Sequence, residues 1–325
     1  MSAPSSLGGP EAATVSALQA DLQARGVRYA LANFVDIHGV CKAKAVPLDH
    51  LGAMLSGSEL FTGAALDGVP QDVSDDEVAA LPDPASATVL PWRPDTVWFA
   101  SNLQLGGRPF EACSRNILCR VRDQAAAMGL RFNLGVETEF FVLRRDADGG
   151  LQPASAADQL DKPCYDLRGL LDNLGWLDEL VQAMNGLGWG VYSFDHEDGN
   201  GQFETDFGYA DGLVTADRVT FFRLMAREIT RRHGLIASFM PKPFADRTGS
   251  GAHFNMSLAD LGSGENLFTP ADGRPGWVSE LGRQFIAGIL RHAPAICAVI
   301  APTVNSYKRL VVQGSMSGFT WAPVF

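Results

Sequence analysis

Residues 134–142 read LGVETEFFV, with Glu137 and Glu139 one residue apart inside an apolar run. Side chains on a strand alternate with a period of two, so both carboxylates project from one face, roughly 6.6–6.8 Å apart along the backbone. At that separation each negative charge makes the other harder to ionise, unless a cation lies between them or water covers the face. A second acid-rich stretch, SFDHEDGNGQFETDF at 193–207, carries Glu197 and Glu204 on either side of a Gly-Asn-Gly turn. A hairpin there lets the two glutamates stand on opposite strands and face one space. A third stretch, SGAHFNMSL at 250–258, sets His253, Asn255 and Ser257 on one strand face just after a flexible TGSG segment. Oxygen-rich sites with at most one imidazole suit Mg2+ or Mn2+ rather than zinc. Such ions neutralise charge in phosphoryl transfer, and arginines clamp carboxylates or phosphates with two parallel hydrogen bonds. Arg309, in NSYKRL, is the candidate clamp.

The elements that must position these residues are marked by period and punctuation. Aromatic and β-branched residues over 131–143 predict the strand that bears Glu137 and Glu139. Strands are also expected at 190–196, 202–207, 235–241 and 251–258, and helices at 169–187, 212–233 and 279–297. Before them, TVSALQADLQARG reads as a helix stopped by Gly26, and 28–49 reads as a hairpin hinged at Ile37-His38-Gly39. The proline- and acid-broken stretch 66–93 reads as a long loop leading to strands near 87–91 and 96–100. CSRNILCRVRDQAAAMG at 113–129 reads as a helix, and 145–165 as surface loop. The expectation is an α+β protein in two parts, a small strand-rich domain over 1–112 and a larger domain over 113–325. The closing GSMSGFTWAPVF reads as the start of a strand, which suggests a chain cut inside a domain.

Composition narrows the classes. The 325 residues are 46% hydrophobic and 19% charged, which describes an ordinary water-soluble protein with a real core. The longest apolar runs fall short of a membrane span and the N-terminus lacks a secretion signal, so a cytoplasmic protein is expected. Five scattered cysteines without a C-x-x-C pair fit a reducing compartment and argue against a zinc module. A net charge of −11, with no lysine or arginine block, disfavours nucleic acid. No phosphate-binding glycine loop opens any helix, so a bound nucleotide is not held by one. A glycosidase using Glu137 and Glu139 as acid and base remains an alternative, although that chemistry has no use for five metal-type ligands.

Taken in order, the Glu-x-Glu strand, HE-x6-E, GSG-x-H-x-N-x-S and NSYKRL resemble the glutamine synthetase family. FVDIHGVCKAKAVP and LPDPASATVLPW extend the resemblance into the first domain, so that it covers nearly the whole chain from about residue 28. The nearest subgroup resembles the type III glutamate–ammonia ligases and γ-glutamylmethylamide synthetases. The resemblance implies a β-grasp-like N-terminal domain and a catalytic domain built on a curved antiparallel sheet, a partial barrel flanked by helices. It implies Mg2+-assisted transfer of the ATP γ-phosphoryl group to the side-chain carboxylate of glutamate, then attack by ammonia or an alkylamine. Glu139, Glu197 and Glu204 would hold one metal beside glutamate, and Glu137 and His253 a second that meets ATP. Gly249 and Arg309, with Glu139 and His253, would contact glutamate, while Asn255 and Ser257 would line the nucleotide pocket. Asp36 would reach a neighbouring subunit's site to help deprotonate ammonium, which implies a homo-oligomeric ring with sites between subunits.

Departures from the pattern are also present. Asn255 stands where the family often has a second histidine, and Thr248 where it has an asparagine that contacts glutamate. After NSYKRL the well-studied enzymes read V-P-G-Y-E, but this chain reads VVQGSMSG and has Ser315 at the position of the flap acid. The family also continues well past this point, adding a metal ligand and phosphate-binding arginines. A weak or inactive chain is therefore expected if it acts alone, and a non-catalytic structural or regulatory relative remains a reading of another class.

Overall fold

The computed structural model describes residues 12–274 and 277–310. Ser315 and the strand expected at the C-terminal end lie outside the described residues. Contacts divide the chain into two compact units, one running to Met128 and including Gly212–Leu224, the other formed by Gly129–Asp211 and the residues from Met225 on.

In the first unit, α1 (Ala12–Ala24) presents Leu22 to the core and ends at Gly26, whose φ of +79° lets the chain reverse. The predicted hairpin forms from β1 (Tyr29–Val35) and β2 (Cys41–Pro47), paired antiparallel from Tyr29 opposite Pro47 to Val35 opposite Cys41. There follow α2 (Leu51–Leu55), β3 (Glu59–Phe61), β4 (Val78–Pro82), β5 (Thr88–Leu90), β6 (Arg93–Leu105), β7 (Arg108–Pro109) and α3 (Ser114–Ala127). The strand order is β2-β1-β6-β4-β3, with β5 and β7 also on β6. The β1–β6 ladder is parallel and the others are antiparallel. Ala30, Ala32, Phe34, Met54, Leu55, Val97 and Phe99 close the core. β4 lies within the stretch expected as loop. Its five residues alternate buried and half-buried, but the acids before it and Pro82-Asp83 after it mask so short a run.

The second unit is organised on β8 (Leu130–Arg145), a 16-residue strand. It is followed by β9 (Leu151–Pro153), α4 (Leu167–Asp172), α5 (Leu174–Gly186), β10 (Val191–His196), β11 (Gln202–Phe207), β12 (Ala210–Asp211) and α6 (Gly212–Arg232), of which the residues up to Leu224 belong to the first unit. The last described elements are β13 (Ile236–Ser238), β14 (Ala252–Asp260), α7 (Glu280–Ile300) and α8 (Val304–Arg309). β8 pairs antiparallel with β9, β11, β12, β13 and β14, and β10 adds outside β11. One face of this sheet is apolar: Phe140 sits opposite Phe203, and both meet Trp176 of α5 edge-on. The single helix expected over 169–187 is two, separated at Asn173. The Asn173 amide donates to the Gly169 carbonyl at 2.8 Å and accepts from Trp176 Nε1 at 2.9 Å, a local alternative to continuing the helix.

Candidate metal centre and active site

The register of β8 decides which acids meet. Glu139 lies opposite Glu204 of β11, and Glu204 lies opposite Asp195 of β10. Two residues along the same face, Glu137 lies opposite His253 of β14. Asn255 then pairs with Gly135, and Ser257 with Asn133. The sequence reading placed Glu197 across the hairpin from Glu204, but Glu197 follows the end of β10, where its N–H donates to the Gln202 carbonyl at 2.9 Å. Asp195 takes the cross-strand place. Asp206, two residues past Glu204, keeps Oδ1 buried.

Within this face His253 Nδ1 donates to Glu137 Oε2 at 3.1 Å, Asn255 Nδ2 donates to Glu137 Oε1 at 2.8 Å, and His253 Nε2 stands 3.8 Å from Glu139 Oε1. Glu139 Oε2 accepts from the Gly251 N–H at 2.7 Å and from Gln202 Nε2 at 3.0 Å. Gln202, which sequence reasoning missed, also donates to the Gly249 carbonyl at 3.2 Å. Both glycines are there for lack of a side chain. A Cβ on Gly251 would stand 2.7 Å from Glu139 Oε1 and 2.9 Å from Arg309 Nη2, and one on Gly249 would stand 2.7 Å from Arg309 Cγ. Arg309 is carried by α8. The preceding residues are tied by a reciprocal pair between Asn305 and the Lys242 backbone, both bonds at 2.8 Å.

Electrostatics follow from the crowding. Burial, then the charges of Asp206, Glu139, Glu197 and Asp195, push the Glu204 carboxyl up to about 8. Burial with Glu197 and Asp206 raises Asp195 to about 6, and burial with Glu137 and Glu197 raises Asp206 to about 6. Burial also raises Glu139, against the hydrogen bond from Gly251. Asp36 belongs to the first unit and sits in its own hairpin turn. Its Oδ1 accepts from the N–H groups of His38 at 2.9 Å and Val40 at 3.0 Å, and Oδ2 lies 3.3 Å from Lys42 Nζ. Burial opposes ionisation there, but these donors hold the carboxyl below its usual value.

The sequence profile described as glutamine synthetase, catalytic domain, matches residues 111–324. The chain belongs to the glutamine synthetase family. It is 41% identical over 312 residues to the glutamate–methylamine ligase of Methyloversatilis universalis, covering 95% of this chain and 70% of that one. It is 40% identical over 301 residues to a glutamine synthetase of Rhizobium meliloti, covering 92% and 68% respectively. A solved complex of GmaS with ADP superposes with a TM-score of 0.85 at 40% identity, covering 90% of this chain and 66% of that one. The chain thus spans about two thirds of the length of these relatives. The mixed α+β architecture is that of the glutamine synthetase fold.

The residues of this glutamine synthetase relative fit a divalent cation. Glu137, Glu204 and His253 offer ligand atoms all within 4.8 Å of one another. Glu204 Oε2, Asp195 Oδ2 and Asp206 Oδ1 are buried without a hydrogen-bond partner among the described residues. An ionised oxygen left so costs free energy that a hard cation offsets, and the oxygen-dominated donor set suits Mg2+ or Mn2+. The observed trio joins Glu204 to Glu137 and His253.

Proposed function

We propose that this chain carries the glutamate- and metal-binding part of an ATP-dependent ligase. The reaction joins ammonia to the γ-carboxylate of L-glutamate through γ-glutamyl phosphate, releasing ADP and phosphate. The observation that supports this best is the cross-strand placement of Glu204 opposite Glu139 and of His253 opposite Glu137. Mg2+ or Mn2+ bound there supplies charge neutralisation for phosphoryl transfer. Glu139, Glu197 and Glu204 would hold one ion and Glu137 and His253 the other, with Glu204 also placed within 4.8 Å of the ligand atoms of Glu137 and His253. Arg309, over Gly249 and Gly251, clamps the glutamate carboxylate, with Glu139, Gly249 and His253 lining the same place. Asn255 and Ser257, on the β14 face beyond His253, line the ATP site. Asp36 serves a neighbouring subunit's site in a homo-oligomeric ring, where it helps take the proton from ammonium. On the same reading the first unit is β-grasp-like, the β8 sheet curves into a partial barrel, the domains divide near residue 112, and the protein is cytoplasmic. No helix among the described residues is long and apolar enough to cross a membrane.

The 41% identity to a glutamate–methylamine ligase favours a second reading, in which methylamine replaces ammonia. Phosphate release from ATP, measured with glutamate and with ammonia, methylamine or ethylamine in turn, separates the two. Mn2+ titration of the purified chain is the prior test. We expect saturable binding of which the ion held by Glu137 and His253 is lost in Glu137→Ala and in His253→Ala, and absence of binding in the unsubstituted chain overturns the proposal.

A further inference from the structure

Immediately before Glu197, His196 is completely buried, and both of its ring nitrogens face acceptors. Nδ1 donates to the Glu197 carbonyl at 2.8 Å and Nε2 donates to Asp158 Oδ2 at 2.9 Å, so both nitrogens carry a proton. The Asp158 side chain is only 2% exposed and is saturated by the same turn. Its Oδ2 also accepts from the Gly201 N–H at 2.5 Å, and its Oδ1 from Asn200 Nδ2 at 2.9 Å. One carboxylate from the loop after β9 therefore grips both ends of the connection 197–201, which begins at Glu197 and leads into β11 with Glu204 three residues past its end.

The surroundings leave the pair little alternative placement. The ring of His196 packs edge-on against Phe203, with centroids 5.0 Å apart, and its carbonyl accepts from the Tyr165 N–H at 2.8 Å. A Cβ on Gly169 would stand 2.8 Å from His196 Cδ2, so that residue must be the smallest one. Gly201, with φ +82°, passes between Pro153 and the Val142 carbonyl, where a Cβ would meet atoms at 3.1 Å. A buried ion pair is a poor device for stability alone, since well-packed apolar residues often do as well. Its particular merit is a fixed geometry with every donor and acceptor matched.

Building on the metal site proposed above, we infer that His196 and Asp158 are positioning residues. They fix the backbone of the turn so that Glu197 and Glu204 present their carboxylates to one ion, without touching it. Groups that orient metal ligands in this way typically govern affinity by roughly 10- to 100-fold.

The test is a Mn2+ titration of the 325-residue chain, reading free and bound ion by electron paramagnetic resonance beside a circular dichroism melt. Asp158→Asn and His196→Gln keep approximate size but break the match of donors and acceptors. Each is expected to weaken Mn2+ binding roughly 10- to 100-fold and to alter the spectrum of the bound ion in a folded chain. Asn200→Ala removes one grip on the turn and is expected to weaken binding several-fold. It stands in for the others if they do not fold. Wild-type affinity and an unchanged bound-ion spectrum in a folded Asp158→Asn chain, or in Asn200→Ala, assign the pair to stability alone and overturn the inference. An unsubstituted chain that takes up no Mn2+ removes the metal site first, and the positioning role falls with it.

Discussion

Around Arg115 in the first unit, two carboxylates flank one guanidinium. Around Glu204 in the second, the neighbouring charges are Asp206, Glu139, Glu197 and Asp195, all of one sign. Arg115 Nε and Nη2 grip both oxygens of Asp217 at 3.0 and 2.9 Å, Nη2 reaches Asp83 at 2.8 Å, and Nη1 donates to Asn102. Asn102 passes the network to Asn116, which donates to the Leu103 and Phe110 carbonyls. Burial alone would lower the Arg115 guanidinium, but the two aspartates outweigh it and hold it above its usual value. That cluster closes on itself. The Glu204 cluster instead leaves three buried oxygens without partners among the described residues. A protein tolerates such an arrangement where something absent from the polypeptide completes it, and perturbed carboxyls of this kind gather at functional sites.

The contrast is broken most severely at Glu204. Glu204→Gln keeps the shape but removes the charge that three neighbouring strands converge upon. Mn2+ affinity should fall by more than about 100-fold, beyond the effect expected of residues behind the ligands. The metal-free chain should melt higher, because burial and like charges both disfavour the ionised side chain. Calorimetric titration and a thermal melt on one preparation check both halves. A variant that loses affinity and also melts lower makes Glu204 an ordinary structural residue.

Arg115→Ala tests the other side. Removing the guanidinium strands Asp217 and Asp83 without a counter-ion, and breaking a buried pair this way costs about 3–5 kcal/mol. Urea denaturation should show that loss while Mn2+ affinity per folded molecule stays the same. If the affinity falls as well, the two clusters are energetically linked.

How much of this was legible in the sequence follows the range of the interactions. Glu137 and Glu139 were readable because parity along one strand is local, and the β10–β11 hairpin was readable from its glycine turn. The same parity places Glu204 and Asp206 on one face of β11. Which residue stands across from Glu204 depends on hairpin register, and the ladder puts Asp195 there, with Glu197 just past the end of β10. Asp158 reaches His196 across 38 residues from a loop without periodicity, and Asp217 reaches Arg115 across 102. No local pattern carries those pairings. At the level of fold, the longer strands announced themselves, whereas β4 is five residues long and its place between β6 and β3 is a long-range fact.

The smallest expected effect concerns pH, and its sign is fixed by the direction of the shifts. Glu204 rises from 4.5 to about 8 on folding, and Asp195 and Asp206 rise from 3.8 to about 6. Between the unfolded and folded values the folded chain binds more protons than the unfolded one, so metal-free stability falls as pH rises through that window. Above pH 6 the fall belongs to Glu204, joined by His196, which the hydrogen bond and charge of Asp158 raise against burial. Asp158 itself is lowered, so its contribution is lost only in acid, below this window. Metal binding requires the ionised carboxylates, so Mn2+ should stabilise more at pH 8 than at pH 6 and oppose the trend. Melting temperatures from pH 5 to 8, with and without Mn2+, give both slopes, and Glu204→Gln should flatten the metal-free one above pH 6. A metal-free chain that grows more stable from pH 6 to 8 would mean that its acid cluster is already compensated within the polypeptide, as the Arg115 cluster is, and the distinction between the two would disappear.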